Sequence, residues 1–304
     1  DKAIGEGKLT DEQADLPGTE TRNLAIPYLE KLPQTKKAGA EYYLNLSVRL
    51  KEDTLWADAG YEVAYEQFQL PVEVEKVTKD INTQGVTVNE DGEEAVTVTG
   101  TDFSFQINKA TGTMENYTYK GEVLLQEGPV PNYWRGLLDN DNGNYDGNWK
   151  TVTDGIEAGA ITVGENEEGQ KTITVDLYFP NAPAMTQQMV YTIDGSGAVT
   201  LSTTVDATGT GLGRYLRIGT CLELIPTGIF LELPEGYENV TWYGNGPVES
   251  MSDRKSFAVT GRFESTVDEL YFPYLEAQDT GTLTDVKWIT VTNPEVDNAM
   301  AIAA

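Results

Sequence analysis

Runs of alternating apolar and polar residues, cut by turn dipeptides, constrain this chain more than anything else in it. Tyr42-Tyr-Leu-Asn-Leu-Ser-Val-Arg-Leu50, Lys171-Thr-Ile-Thr-Val-Asp-Leu-Tyr-Phe179 and Ala198-Val-Thr-Leu-Ser-Thr-Thr-Val-Asp206 all repeat with a period of two. That is the period of a strand with one buried face. Asp91-Gly92, Thr111-Gly112, Asn142-Gly143 and Asp194-Gly195 punctuate such runs, and glycine supplies the positive φ that tight hairpins need. A strand spacing of about ten residues predicts antiparallel sandwiches. No βα unit repeats, and helical periodicity is weak apart from a short candidate near Ser265–Leu270. The fold class is all-β. With 304 residues, 39 % of them hydrophobic, the chain can build two cores.

Several chemistries are excluded by what the sequence lacks. There is no histidine, which removes a Ser-His-Asp triad, a Cys-His pair and any imidazole zinc site. Cys221 is the single cysteine, so neither an intrachain disulfide nor a cysteine metal cluster can form. The 49 acidic residues outnumber the 21 basic ones, for a net charge of −28. Nucleic acid and anionic membrane surfaces are therefore not expected partners, and no apolar run is long enough to cross a membrane as a helix. Asp1-Lys-Ala-Ile-Gly5 is no secretory leader and lacks an initiator methionine. The chain reads as the middle of a longer protein.

Between the alternating regions, Val72–Asn89 is rich in Val, Glu and Lys, and Asn89–Glu94 is an acidic turn. This divides the chain into a small unit at 1–75, a linker at 76–95 and a large unit at 96–304. The densest chemistry lies in Trp242-Tyr-Gly-Asn-Gly-Pro-Val-Glu-Ser-Met-Ser-Asp-Arg254. Gly244 and Gly246 permit a sharp backbone path and Pro247 stiffens it. Such a loop presents Trp242, Tyr243, Asn245, Glu249, Asp253 and Arg254. An ordinary strand end and polar turn is the plainer reading of the same residues. If Trp242 packs beneath the loop it is scaffold; if exposed, it is a platform for a ligand.

The blocks Trp242–Glu249, Asp253-Arg-Lys255, Pro273-Tyr-Leu275, Gln278-Asp-Thr-Gly281 and Thr284-Asp-Val-Lys-Trp288 resemble the C-terminal domain of bacterial β-galactosidases of glycoside hydrolase family two. Gly128-Pro-Val-Pro-Asn-Tyr-Trp-Arg135, followed by Asp139-Asn-Asp141, resembles another signature of that domain. Glu52–Gly60 and Glu66–Pro71 resemble the immunoglobulin-like domain before it. The blocks keep the family's order across most of the chain. The resemblance implies an immunoglobulin-like β-sandwich over 1–75, incomplete at its start. It implies a galactose-mutarotase-like β-supersandwich over 96–304, incomplete at its end. Enzymes of the mutarotase type rely on histidine, so that activity is not expected.

Retaining glycoside hydrolysis needs two carboxyl groups about 5 Å apart. In the family both glutamates come from an upstream (β/α)₈ barrel, so no catalytic residue is carried over to this chain. The resemblance also implies that the family's magnesium and sodium belong to that catalytic domain, leaving no cofactor and no metal here. It implies a parent that is a homo-oligomer, with the barrel of the same polypeptide and a β-galactoside substrate as partners. Glu249 is the best local candidate for a functional carboxylate, and pairing with Arg254 or capping backbone amides is its plainer role. Arg135 with Asp139 and Asp141 forms either an ion-pair network or, together with Asn140, a face toward the barrel. The family's Arg-Ala-Pro is replaced by Arg135-Gly-Leu137, which loosens that loop. Tyr117 and Tyr119 fall where a family loop can fold over the active site. They offer either faces for sugar or the alternate rings of a plain hairpin. The stretch from Cys221 to Leu233 is longer than the family's usual connection. An autonomous carbohydrate-binding or adhesive β-sandwich is the competing class.

Overall fold

The computed structural model describes residues 2–136, 150–208 and 228–303. Sixteen strands are found among them. β1 (Tyr43–Arg49) and β2 (Glu62–Gln69) form an antiparallel pair. A six-stranded sheet has the order β12-β7-β6-β5-β4-β3. Its strands are β3 (Thr87–Asn89), β4 (Ala95–Thr99), β5 (Phe103–Asn108), β6 (Met114–Tyr119), β7 (Glu122–Asn132) and β12 (Gly228–Glu232). A four-stranded meander carries β8 (Glu157–Glu165), β9 (Lys171–Tyr178), β10 (Thr186–Ile193) and β11 (Val199–Asp206). The last sheet has the order β14-β13-β15-β16, from β13 (Asn239–Gly246), β14 (Val259–Thr266), β15 (Trp288–Thr292) and β16 (Ala299–Ala303). Every pairing is antiparallel.

The main core lies between the six-stranded sheet and the meander. On the first, Val96 pairs with Ile107 and Val98 with Phe105. On the second, Val175 pairs with Met189 and Ile173 with Tyr191. All eight are buried in one cluster. Partners in register share a sheet face, so the alternation in the sequence becomes two apolar faces pressed together. This is an all-β sandwich.

Among the described residues α-helix amounts to two single turns, α1 (Asp11–Ala14) and α2 (Val267–Leu270), beside a 3₁₀ turn at Tyr28–Lys31. Each is closed by a capping box, Thr10 with Gln13 and Thr266 with Glu269. The N-cap hydroxyl takes one orphan amide while the N3 side chain takes the cap's own N–H. The short helix anticipated near Ser265–Leu270 is α2.

Residues 2–71 contain one hairpin, β1–β2, preceded by the single turns Asp11–Ala14 and Tyr28–Lys31, so no second sheet is described where the immunoglobulin-like sandwich is expected over 1–75. Two strands have no second sheet to cover their apolar face. Among the described residues none before Val96 is buried. The linker expected over 76–95 also differs. Its irregular part ends at Val86, because Thr87–Asn89 pairs with β4 as the edge of the six-stranded sheet. The buried Asp194 carboxylate accepts the Asn82 amide at 2.9 Å, and the Gly195 amide donates back to the Asn82 carbonyl at 2.7 Å. That exchange fastens the stretch to the β10–β11 turn.

Candidate functional site

The singled-out segment is half strand and half loop. Trp242 to Gly246 complete β13, and only Pro247 to Arg254 leave the sheet. Gly244 and Gly246 serve close approach there rather than a turn. A Cβ on Gly246 would stand 2.4 Å from the Phe263 ring, and one on Gly244 would stand 2.7 Å from Val286 Cα. Trp242 is fully buried and tilted against Phe263, with ring centroids 5.5 Å apart. Its indole Nε1 donates to the Asn245 carbonyl at 2.8 Å. An indole with its one donor satisfied can be buried without an unpaired polar group. No ring face is left for a ligand.

Below the loop lies a polar seam. Asn245 Nδ2 donates to Thr284 Oγ1 at 2.9 Å and to Asp285 Oδ2 at 2.8 Å. Ser250 and Thr284 hydroxyls are 2.8 Å apart, and Lys255 Nζ meets Asp285 at 2.8 Å. This seam ties the loop's entry, middle and exit to residues 284–285.

Glu249 is the centre of the loop. Its Oε1 accepts from the Tyr274 hydroxyl at 2.5 Å and from Arg254 Nη2, while Oε2 accepts the Gly281 amide at 2.6 Å. Burial pushes its carboxyl up. Donation by Tyr274, the Gly281 amide and Arg254 outweighs this and holds it below the usual carboxylate range. Three donors to one anion are charge-assisted bonds that fix geometry. The Arg254 pairing is the plainer role foreseen for Glu249. Asp253, which the loop was expected to present, is exposed and makes no side-chain bond among the described residues.

The structure brings part of the Trp134–Arg135 block to the same place. A Cβ on Gly136 would stand 3.0 Å from the Asp279 amide nitrogen, so the chain at 136 lies against the strip that presents Gly281 to Glu249. Asn132 holds the Trp134 backbone on both sides, and Arg135 Nη1 donates to the Gly136 carbonyl at 2.9 Å. Asp139, Asn140 and Asp141 lie outside the described residues, as do Cys221 and the start of the long connection after it.

Tyr117 is placed elsewhere. Its ring stacks with Phe103 and Phe105, and its hydroxyl donates to the Gly197 carbonyl at 2.6 Å. Burial pushes its phenol up to about 12. It belongs to the core, which removes it as a sugar-facing ring. Tyr119 packs against the same core with Lys120 over its ring at 5.3 Å. The plain hairpin accounts for both.

A second hub has no counterpart in the sequence reading. Glu41, just before β1, accepts from the Tyr243 hydroxyl at 2.6 Å, the Tyr43 hydroxyl at 3.3 Å, Gln69 Nε2 at 3.2 Å and Lys287 Nζ. Lys287 also lies 5.4 Å over the Tyr243 ring, which stacks on Trp288. Burial pushes the Glu41 carboxyl up, and its bonds to Lys287 and Tyr243 bring it below the ordinary value. Nearby, Gln67 exchanges bonds with the Thr260 backbone at 3.0 and 2.7 Å, and the Tyr65 hydroxyl donates to the Phe257 carbonyl. The hairpin is thus fastened to the sheet that carries Trp242. Glu41 stands in no motif. Tyr274 and Gly281 stand inside recognisable blocks, but spacing alone does not pair them with Glu249.

Among the described residues no group of acidic or cysteine side chains is arranged to hold a metal ion, and no helix is long and apolar enough to cross a membrane.

Comparison with known proteins bears on this geometry. The profile of the β-galactosidase small chain family matches residues 99–304, and that of β-galactosidase domain 4 matches residues 1–71. A β-galactosidase of Priestia megaterium is 32 % identical over 298 residues, covering 95 % of this chain and 27 % of the relative. One from Halalkalibacterium halodurans is 26 % identical, covering 86 % of this chain and 25 % of itself. One from Psychromonas ingrahamii is 28 % identical, covering 90 % and 27 %. The chain spans about a quarter of the length of these relatives.

Proposed function

This chain belongs to the β-galactosidase small-chain family, and on that footing we propose that it is the non-catalytic C-terminal portion of an enzyme that hydrolyses terminal β-D-galactosides with retention. In this reading residues 1–75 are the remnant of an immunoglobulin-like domain and residues 96–304 a supersandwich. The chain buttresses a catalytic barrel of the same polypeptide and helps to shape its substrate pocket. The magnesium and sodium implied by the family belong to that barrel, and no residue here is assigned to them. The parent assembles as a homo-oligomer.

One observation carries the non-catalytic part. Glu249, the carboxylate best placed for chemistry, spends its oxygens on Tyr274, Arg254 and the Gly281 amide. A general acid in glycoside hydrolysis needs a carboxyl held protonated near neutrality, and three donors do the opposite. The buttressing part is supported by what surrounds this loop. Val248, Tyr271, Phe272 and Leu275 are exposed beside it, and clustered apolar side chains of this kind mark surfaces that meet another protein body. The buried Trp242 takes away the platform on which a free-standing sugar module at this loop would depend.

An assay of the purified chain with a nitrophenyl β-galactoside tests the reading, and no turnover above background is expected. Turnover that scales with protein and is lost in Glu249→Gln would overturn it.

A further inference from the structure

With Trp242 buried, the exposed tryptophan among the described residues is Trp56, 65 % open to solvent. It sits in the connection between β1 and β2, where Tyr61 meets it edge-on. The ring centroids are 5.3 Å apart at 83°. Two aromatic walls at a right angle form a corner, and with Thr54, Leu55 and Asp58 they line an open cavity of about 500 Å³.

The corner is fixed by its own backbone. The Thr54 amide and hydroxyl both donate to the Ala57 carbonyl at 2.9 Å, and the hydroxyl accepts the Ala57 amide at 3.1 Å. Asp53 Oδ1 accepts the Ala59 amide at 2.9 Å. At the stem, the Leu50 amide donates to the Tyr61 carbonyl at 2.9 Å and the Gly60 amide to the Leu50 carbonyl at 2.8 Å. A loop so closed lowers the ordering cost of binding. It also holds the indole face open to water.

The polar groups narrow the chemistry of what would cover it. Asp53 Oδ2 has no partner among the described residues, and Asp58 is among the residues that line the cavity. Both are acceptors that want hydroxyl or N–H donors. The electron-rich face of Trp56 attracts polarised C–H groups. A ligand with a C–H face on one side and hydroxyl donors around its rim satisfies both demands. A β-galactopyranose is such a body, with C–H groups at C3, C4 and C5 on a single face. The neighbouring carboxylates of Glu52, Asp53 and Asp58 reject anionic sugars.

We propose that the Trp56–Tyr61 corner is a binding site for a neutral pyranose, separate from the loop around Glu249. It depends on the exposed corner alone and stands whether or not the parent is a galactosidase.

The test is a ¹⁵N-resolved titration of the whole chain with methyl β-D-galactoside, lactose and cellobiose, followed at the Trp56 indole and the amides of 54–61. At least one sugar is expected to produce saturating shifts confined to this loop at about millimolar concentration. Trp56→Ala is expected to weaken the response at least about tenfold while leaving the thermal melt of the chain in place, because the ring is exposed. Tyr61→Ala is expected to weaken it less. Absence of saturating shifts with all three sugars overturns the proposal, as does binding that survives Trp56→Ala. Tetramethylammonium serves as the rival probe. If it saturates the loop and the sugars do not, the corner is a cation site and the sugar assignment falls.

Discussion

The Tyr243 hydroxyl donates to Glu41 at 2.6 Å across 202 residues of sequence. One bond thereby joins the start of the β1–β2 hairpin to the strand that holds Trp242, with Lys287 closing the same carboxylate from the other side. Replacing Glu41 with alanine leaves Tyr243, Tyr43 and Lys287 facing each other without their shared acceptor. Hydrogen bonds to a charged group contribute about 1.5–3 kcal/mol. The expected outcome is a loss near the lower end of that range, since Lys287 is partly solvated. Amide exchange should quicken along β1 and β2 but not along β9 and β10. Uniform protection in Glu41→Ala would show that the Gln67–Thr260 and Tyr65–Phe257 bonds hold the hairpin by themselves.

Acid should weaken the fold through the carboxylates that the structure keeps ionised. Glu41, Asp194 and Glu249 are all held below their ordinary values of 4.5, 3.8 and 4.5. For such groups the stabilisation is present above the unfolded value and is lost as pH falls through the folded one. The net charge of −28 acts in the other sense, because protonating surface carboxylates relieves repulsion. Stability should therefore rise slightly from pH 7 toward pH 5 and fall steeply below about pH 4. Chemical denaturation across this range measures it. Asp194→Asn should be less stable at pH 7 and flatter on the acid side. An acid limb as steep as the parent's would mean that Asp194 is not one of the groups responsible.

Trp242→Ala should cost about 3–5 kcal/mol, the range for a large buried aromatic. Trp242→Phe keeps most of the apolar body but gives up the bond to the Asn245 carbonyl, and should cost less. Gly246→Ala is the steric complement, because its new methyl would drive into the Phe263 ring 2.4 Å away. Calorimetric melts separate the three. A nearly unchanged melt for Trp242→Ala would contradict its burial.

Tyr191 makes the opposite case. It is fully buried in the sandwich, and its hydroxyl has no hydrogen-bond partner among the described residues. An orphaned buried polar atom costs about 1–3 kcal/mol. Tyr191→Phe should hold or raise the melting temperature, by about 2–4 °C for each 1 kcal/mol recovered. A clear drop would place an ordered water on that hydroxyl.

The strands that alternation predicts at 42–50, 171–179 and 198–206 are found at Tyr43–Arg49, Lys171–Tyr178 and Val199–Asp206. Alternation is a local signal, and the residues that carry it sit within a few positions of one another. The Glu249–Arg254 pair was legible for the same reason, being five residues apart. Glu41 was not. Its partners Tyr243 and Lys287 are brought to it by the bonds that fasten the hairpin to the sheet of β13, and no window of sequence contains them together. The role of Trp242 was open until Phe263 and Ile289, its neighbours in register on β14 and β15, covered it. Glycine in Trp242–Arg254 suggested a bent loop, whereas Gly244 and Gly246 lie in a strand and admit neighbours that a side chain would exclude.

The pairing of β12 with β7 sets Gly228 opposite Asn132, closing a span of roughly a hundred residues whose ends must meet at an entropic cost that grows with its logarithm. The meander β8–β11 is emitted inside that span. A ribosome making this chain at about 5–20 residues per second therefore releases β7 several seconds before its outer neighbour exists. During that interval β7 is the border of an unfinished five-strand layer, with its amides and carbonyls facing outward. Such a border is a template for pairing with another extended segment, and it stays open until residues 228–232 arrive to pair with it.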